Sequence, residues 1–133
     1  MPTMIFVNLP VSDLERAKTF YSALGFDINQ QFTDDKAACI VISDAIYAML
    51  VTKPYFSTFT TKDIADTSIS VAAINALSQD SKADVDAIAD KALTSGGLQT
   101  SDPQDLGFMY SRSFQDPDGN MWEALWMDPG HVE

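Results

Sequence analysis

The stretch running Asp116-Pro117-Asp118-Gly119-Asn120-Met121-Trp122-Glu123-Ala124-Leu125-Trp126 constrains the fold of this chain more than any other. Pro117 presets φ at one turn position and Gly119 tolerates positive φ, so two antiparallel strands can reverse there. Beyond the turn, the period of two of a strand puts Met121, Glu123, Leu125 and Met127 on one face and Trp122, Ala124 and Trp126 on the other. Glu123 is therefore one carboxylate on an apolar face. Burying an unpaired charge is costly or forces protonation, so Glu123 calls for a metal, a basic side chain or a polar ligand.

The rest of the chain reads as the same order of elements used twice. Residues 4–9 are expected to form a strand, and Pro10-Val11-Ser12-Asp13 leads into a helix with Leu14, Ala17, Tyr21 and Leu24 on one stripe. Ser12 or Asp13 caps that helix and Gly25 ends it. Strands follow at 26–32, 37–42 and 45–52, with turns at Asp34-Asp35 and Ser43-Asp44. Residues 55–66 lose the pattern and read as a connector carrying Phe56 and Phe59. A strand at 68–77 then precedes a helix capped by Asp80-Ser81, striped by Val85, Ile88, Ala89, Ala92 and Leu93, and ended by Gly96-Gly97. A short strand near Leu98 and two more at 108–115 and 121–127 complete the series. The expected fold is α+β, two βαβββ modules at 1–54 and 67–133 joined by the connector 55–66, with an internal repeat of roughly 65–70 residues. Aligning the last strands by their turns lays residues 44–48 over 119–123, so Ala48 falls where the second module has Glu123.

Composition limits the function classes. A chain of 133 residues is one domain's worth and can bury a core without disulfides, and its 46% hydrophobic content suits a globular protein. No apolar run approaches the ~20 residues that span a bilayer, and no basic segment followed by a long apolar one marks a secretory signal, so a cytoplasmic location is expected. The single cysteine, Cys39, excludes an intramolecular disulfide and sits in an apolar run that suits core packing. A net charge of −11 argues against nucleic acid and anionic membrane surfaces, both of which need clustered Lys and Arg. The lone histidine, His131, lies in the tail, which leaves Ser-His-Asp catalysis and a two-histidine iron site without their imidazoles. Gly96-Gly97 follows a helix where a phosphate loop would precede one. The acidic pairs at Asp34-Asp35 and within 63–66 lack calcium-loop spacing and read as solvated turns.

Two βαβββ modules, the entry Val11-Ser12-Asp13-Leu14-Glu15-Arg16-Ala17-Lys18-Thr19-Phe20-Tyr21 to the first helix and the terminal Asp-Pro-Asp-Gly-X-X-Trp-Glu strand together resemble the vicinal oxygen chelate superfamily. This is the glyoxalase, bleomycin-resistance and extradiol-dioxygenase superfamily. The resemblance implies a cupped mixed sheet in which enzymes hold a divalent metal with His, Glu or Gln from four strand positions. Matching motifs puts those positions at Phe6, at Ala48 with Met49 one residue away, near Ile74 and at Glu123. Of these only Glu123 carries a donor suited to such a metal, so neither metal nor other cofactor is expected.

Two pairings are open to Glu123. If Gln115 pairs with Asn120, Glu123 lies opposite Arg112, and a shift of one residue brings Ser113 there instead. With Arg112 it would form a partly buried ion pair, supplemented by Tyr110 or Ser113. Alternatively it stands at the base of a ligand pocket, as a hydrogen-bond acceptor or a general base. The expected lining is Phe6, Asn8, Ala48, Ile74, Ala76, Met121 and Glu123, with Phe56 or Phe59 folding over as a lid and Trp122 and Trp126 packing beneath the helices. Such a surface suits a small organic or aromatic ligand. The resulting expectation is a metal-independent small-molecule-binding homodimer resembling bleomycin-resistance proteins. Its rival is a glyoxalase-like lyase using Glu123 as base or partial metal ligand.

Overall fold

In the computed structural model, which describes residues 2–131, two compact units divide between Ser70 and Val71. The first unit carries β1 (Ile5–Val11), α1 (Leu14–Ala23), β2 (Asp27–Asn29), β3 (Ala37–Val41), β4 (Ile46–Thr52) and the short α2 (Lys53–Phe56). Its sheet has the order β1-β4-β3-β2, with β1 parallel to β4 and the remaining neighbours antiparallel. Asp13 begins α1 by accepting a hydrogen bond from the Arg16 backbone N–H at 3.1 Å, which satisfies a donor the helix itself cannot pair. Leu14, Ala17, Phe20 and Tyr21 are buried along one stripe of α1. They meet the sheet face that presents Leu9, Val11, Ala38, Ile40, Ala48 and Leu50, all of them buried.

The second unit repeats the plan with β5 (Ile74–Ser78), α3 (Lys82–Thr94), β6 (Leu98–Asp105), β7 (Met109–Gln115) and β8 (Met121–Met127). The sheet order is β5-β8-β7-β6, again with one parallel pair, β5 and β8. Ser81 caps α3 through its Oγ, which accepts from the Asp84 N–H at 3.0 Å. Val85, Ile88, Ala89 and Ala92 pack on Phe114, Trp122 and Ala124, which are almost wholly buried. The expected order of two βαβββ modules is what the chain forms, as two four-stranded mixed sheets each covered by a helix. No helix among the described residues is long and apolar enough to cross a membrane.

Three elements differ from expectation, each for a local reason. β2 is only three residues long because Asn29 turns the chain, accepting from the Gln31 N–H at 3.1 Å, and a 3-10 turn over Gln30–Phe32 replaces the rest of the strand. Residues 68–73 are not strand: Asp66 draws the Ser68 N–H and hydroxyl into a turn, and β5 begins only at Ile74. β6 runs well past Leu98, since Asp102 and Pro103 are tolerated on an edge strand where the ladder slips between Gln99 and Ser101 and again before Gln104. Within the expected connector, Pro54 in its first turn suits the start of α2, and Ser57–Phe59 continue as a 3-10 turn.

The β7–β8 turn is closed by one side chain. Asp116, only 1% exposed, accepts with Oδ1 from the N–H groups of Asp118 and Asn120 and with Oδ2 from the Asn120 amide, each at 2.9 Å. Backbone bonds from Asp116 to Asn120 and from Gly119 to Asp116 complete it, with Gly119 at φ 90°, where a Cβ would be strained. Asp116→Ala would strand these buried donors and is expected to cost about 2–4 kcal/mol. Asp116→Asn, which keeps one acceptor oxygen, is expected to cost less. Urea denaturation of both variants checks this, and an Asp116→Ala loss below about 1 kcal/mol would show that the backbone preferences of Pro117 and Gly119 suffice.

Candidate functional site

Each sheet has one face covered by its helix and one open face, and strand parity decides which side chains reach the open one. In the first unit, β1 and β4 pair in parallel with Phe6 beside Tyr47 and Asn8 beside Met49. The Phe6 and Tyr47 rings stack at 4.9 Å and 11°. With Met4, Phe32, Cys39, Met49 and Asn29 they line a hollow of about 440 Å³. An adjoining hollow of about 340 Å³ shares Phe32 and Met49 and includes Asn8, Tyr55 and Phe59.

This geometry moves one expected residue and sorts the rest. Ala48 is fully buried under α1, so it does not line the open face; Met49 does. The misplacement came from aligning the modules by their turns, which superposes Tyr47 on Trp122. Tyr47 lies on the open face and stacks on Phe6, whereas Trp122 is buried beneath α3, so that alignment is one residue out. Phe59 lines the smaller hollow, while Phe56 packs against Phe59 with ring centroids 5.9 Å apart. Met4, Phe32, Cys39, Tyr47 and Tyr55 were missed: the first four lie in stretches expected to be strands and Tyr55 in the expected connector, and they are gathered only by the pairing of β1 to β4 together with the turns after β2 and β4. Cys39, 2% exposed, faces this hollow as Met49's cross-strand neighbour, and burial raises its thiol pKa.

In the second unit the open face is polar. Gln115 pairs with Met121 and not with Asn120, so Ser113 stands opposite Glu123 on one side and Ala76 on the other. Glu123, half-buried, lines a hollow of about 250 Å³ with Ile74, Met121, Thr100, Ser101, Gln104, Ser111 and Ser113. Ser101 and Ser113 join their hydroxyls at 3.1 Å. Glu123 itself has no hydrogen-bond or ion-pair partner among the described residues. Thr100, Ser101 and Gln104 escaped the sequence reading because β6 was expected only as a short strand near Leu98, Ser111 escaped it on β7, and Ser113 is the alternative neighbour of Glu123 that the sequence offered.

Arg112 is not the partner of Glu123. The same register turns it to the helix-covered face, opposite Ala124, where Nη1 donates to Asp90 Oδ1 at 2.8 Å and Asp86 Oδ1 at 3.2 Å. The Tyr110 hydroxyl donates to that Asp86 oxygen at 2.6 Å. The Tyr110 bond, with help from Arg112, holds the Asp86 carboxyl below its ordinary range against a smaller opposing effect of burial. Tyr110 is raised by the same bond. Burial opposes the charged Arg112, but the two carboxylates outweigh it and raise its pKa. Lys82 sits on this side as well, with Nζ 5.6 Å from the Trp126 ring centroid and 3.3 Å from Asp105. His131, exposed in the tail, stacks on Phe108 at 4.2 Å.

Register also makes the two modules comparable. Phe6 and Met49 in the first occupy the places of Ile74 and Glu123 in the second, because each pair is offset by the same two residues along a parallel ladder. Phenyl, thioether and sec-butyl groups offer no hard oxygen or nitrogen donor, so these positions do not fit a divalent metal site. Among the described residues no group of three or more His, Cys, Asp or Glu side chains could hold a metal ion.

Residues 3–43 match the family model described as bleomycin resistance protein-like N-terminal. No curated protein matches the chain. Solved structures share the fold over nearly the full length. A hypothetical protein from S. aureus is 27% identical, covers 95% of each chain and superposes with a TM-score of 0.81. A glyoxalase/bleomycin resistance protein/dioxygenase family enzyme from Burkholderia phytofirmans is 14% identical over 95% of this chain and 99% of its own, with a TM-score of 0.79. An antibiotic binding protein from Streptomyces is 22% identical over 96% and 97%, with a TM-score of 0.65.

The placement of Arg112 is checked by double-mutant cycles on stability. Arg112 and Asp86 are expected to couple by about 0.5 kcal/mol or more, while Arg112 and Glu123 are expected to add within about 0.3 kcal/mol. Because the folded Asp86 pKa is depressed, its stabilising contribution is complete above the unfolded carboxylate range and is lost as pH falls through the folded value. The Arg112–Asp86 coupling should fade over that same acidic window.

Proposed function

We propose that this chain, whose fold is that of the vicinal oxygen chelate superfamily, binds a small organic or aromatic ligand without a metal. The observation that carries this reading is the apolar hollow of about 440 Å³ on the open face of the first module. Its volume falls within the roughly 300–1,000 Å³ of small-molecule sites. Its wall of Phe6, Phe32, Tyr47, Met4 and Met49 offers stacking and adaptable thioether contacts, with Asn29 as a polar anchor. The donor set at Phe6, Met49 and Ile74 supports metal independence, since Glu123 by itself would hold a divalent ion weakly. An antibiotic binding protein of the same fold is in keeping with this use of the scaffold.

The lyase reading has one observation in its favour, the Glu123 carboxylate with no hydrogen-bond or ion-pair partner among the described residues, an arrangement open to a general base. Loss of turnover in Glu123→Gln with ligand binding retained would establish it. We further infer a homodimer acting in the cytoplasm. The paired Ile5 and Ile46 remain 53% and 37% exposed at one end of β1 and β4, apolar surface that a second chain would cover.

Titration with uncharged 2-naphthol, followed through the methyl NMR signals of Met4 and Met49, should give saturable shifts that survive exhaustive chelation. Phe6→Asp should weaken that binding by about tenfold or more, since a charge on the hollow wall must be desolvated. Stoichiometric metal whose removal abolishes binding would overturn the reading. Light scattering at micromolar concentration should return twice the chain mass, and a monomer mass would overturn the dimer.

A further inference from the structure

We propose that the hollow beside Glu123, on the second module, receives the ammonium group of a small amine-bearing ligand, an inference that rests on the ligand-binding reading above and specifies the chemistry such a ligand would carry at this hollow. Glu123 presents a carboxylate with no partner among the described residues. Around it stand Thr100, Ser101, Gln104, Ser111 and Ser113. Two of these hold unspent hydrogen-bonding capacity. Ser111 lines the hollow with no side-chain hydrogen bond among the described residues, and Thr100 Oγ1 is buried without a partner among them. A buried hydroxyl left unpaired is costly, so an occupant that bonds to it recovers that cost.

The charge balance selects the occupant. Among the described residues no Lys, Arg or His lines this hollow: Arg112 is turned to the opposite face of β7 and bonded to Asp86 and Asp90, and Lys82 is paired with Asp105. A phosphate or carboxylate would therefore meet only Glu123, a like charge. A hard divalent cation would find one carboxylate among neutral oxygens, a donor set of low charge that holds such an ion weakly. An ammonium group needs three acceptors at most, and one carboxylate with neighbouring hydroxyl oxygens meets that need with a charge-assisted bond at its centre. At a net charge of −11 the whole chain favours the approach of a cation.

The test uses the full chain and three probes of one shape: benzylamine, benzyl alcohol and benzoate, titrated at pH 7 by NMR with and without 10 mM magnesium as about the highest competitor level. Benzylamine should bind at least about tenfold more tightly than benzyl alcohol, and benzoate not measurably, as a charge-assisted bond requires. Glu123→Gln should remove the preference for the amine, lowering amine binding by at least about tenfold and benzyl alcohol binding by less, and Ser111→Ala should weaken the amine by a smaller factor than Glu123→Gln does. Equal binding of amine and alcohol, or an amine preference that survives in Glu123→Gln, overturns the proposal. Displacement of benzylamine by magnesium overturns it in favour of a metal site. If 2-naphthol binds the first module but benzylamine shows no preference, the amine inference alone fails; if no aromatic probe of any charge binds, the reading beneath it fails as well.

Discussion

Asp116 ties the backbone of Asp118 and Asn120 to itself and so sets where β7 ends and β8 begins. Everything on the second sheet follows from that register. Because Gln115 pairs with Met121, each odd-numbered residue from Ser111 to Gln115 shares a face with Met121, Glu123 and Leu125, and each even-numbered one turns to α3. A slip of one residue would exchange the two sets, placing Arg112 beside Glu123 and the serines under the helix. A buried turn satisfied by a carboxylate resists such a slip, since every donor it binds would have to be left unpaired.

The two modules share one architecture and have opposite surface chemistry. Offset positions on parallel ladders hold Phe6 and Met49 in the first and Ile74 and Glu123 in the second. Around the former gather Met4, Phe32 and Tyr47, and around the latter gather serine, threonine and glutamine. Duplicated order thus preserves where side chains point and leaves open what they are. The helix-covered faces stay alike because both must bury apolar stripes of α1 and α3. The exception is the edge of α3, where Arg112, Tyr110, Asp86 and Asp90 exchange hydrogen bonds and draw the only arginine of this sheet away from the open face.

The sequence-based expectation and the structure diverge where local chemistry or pairing competes with pattern. The helices, their Asp13 and Ser81 caps and the faces of β8 were readable, because amphipathic periods and capping residues act within one turn or strand. Asn29 and Asp66 ended or delayed strands that the apolar pattern extended, since their side chains offer the backbone another set of bonds. Ala48 was assigned to the open face because two strands were aligned by their turns, and a turn that differs by one residue inverts a face.

Sequence by itself determined the twofold βαβββ order, the reversal at Pro117 to Gly119, the exposure of Glu123 to the uncovered face and the apolar side chains at Phe6 and Ile74, all of which are properties of residue type and local period. Tertiary structure alone decided the partners. Whether Glu123 meets Arg112 or Ser113, whether Met49 or Ala48 reaches the open face, and whether Phe32, Cys39 and Tyr47 share one hollow depend on pairing between strands distant in the chain. Such pairing is set by the summed burial of both faces, a quantity that no single segment contains.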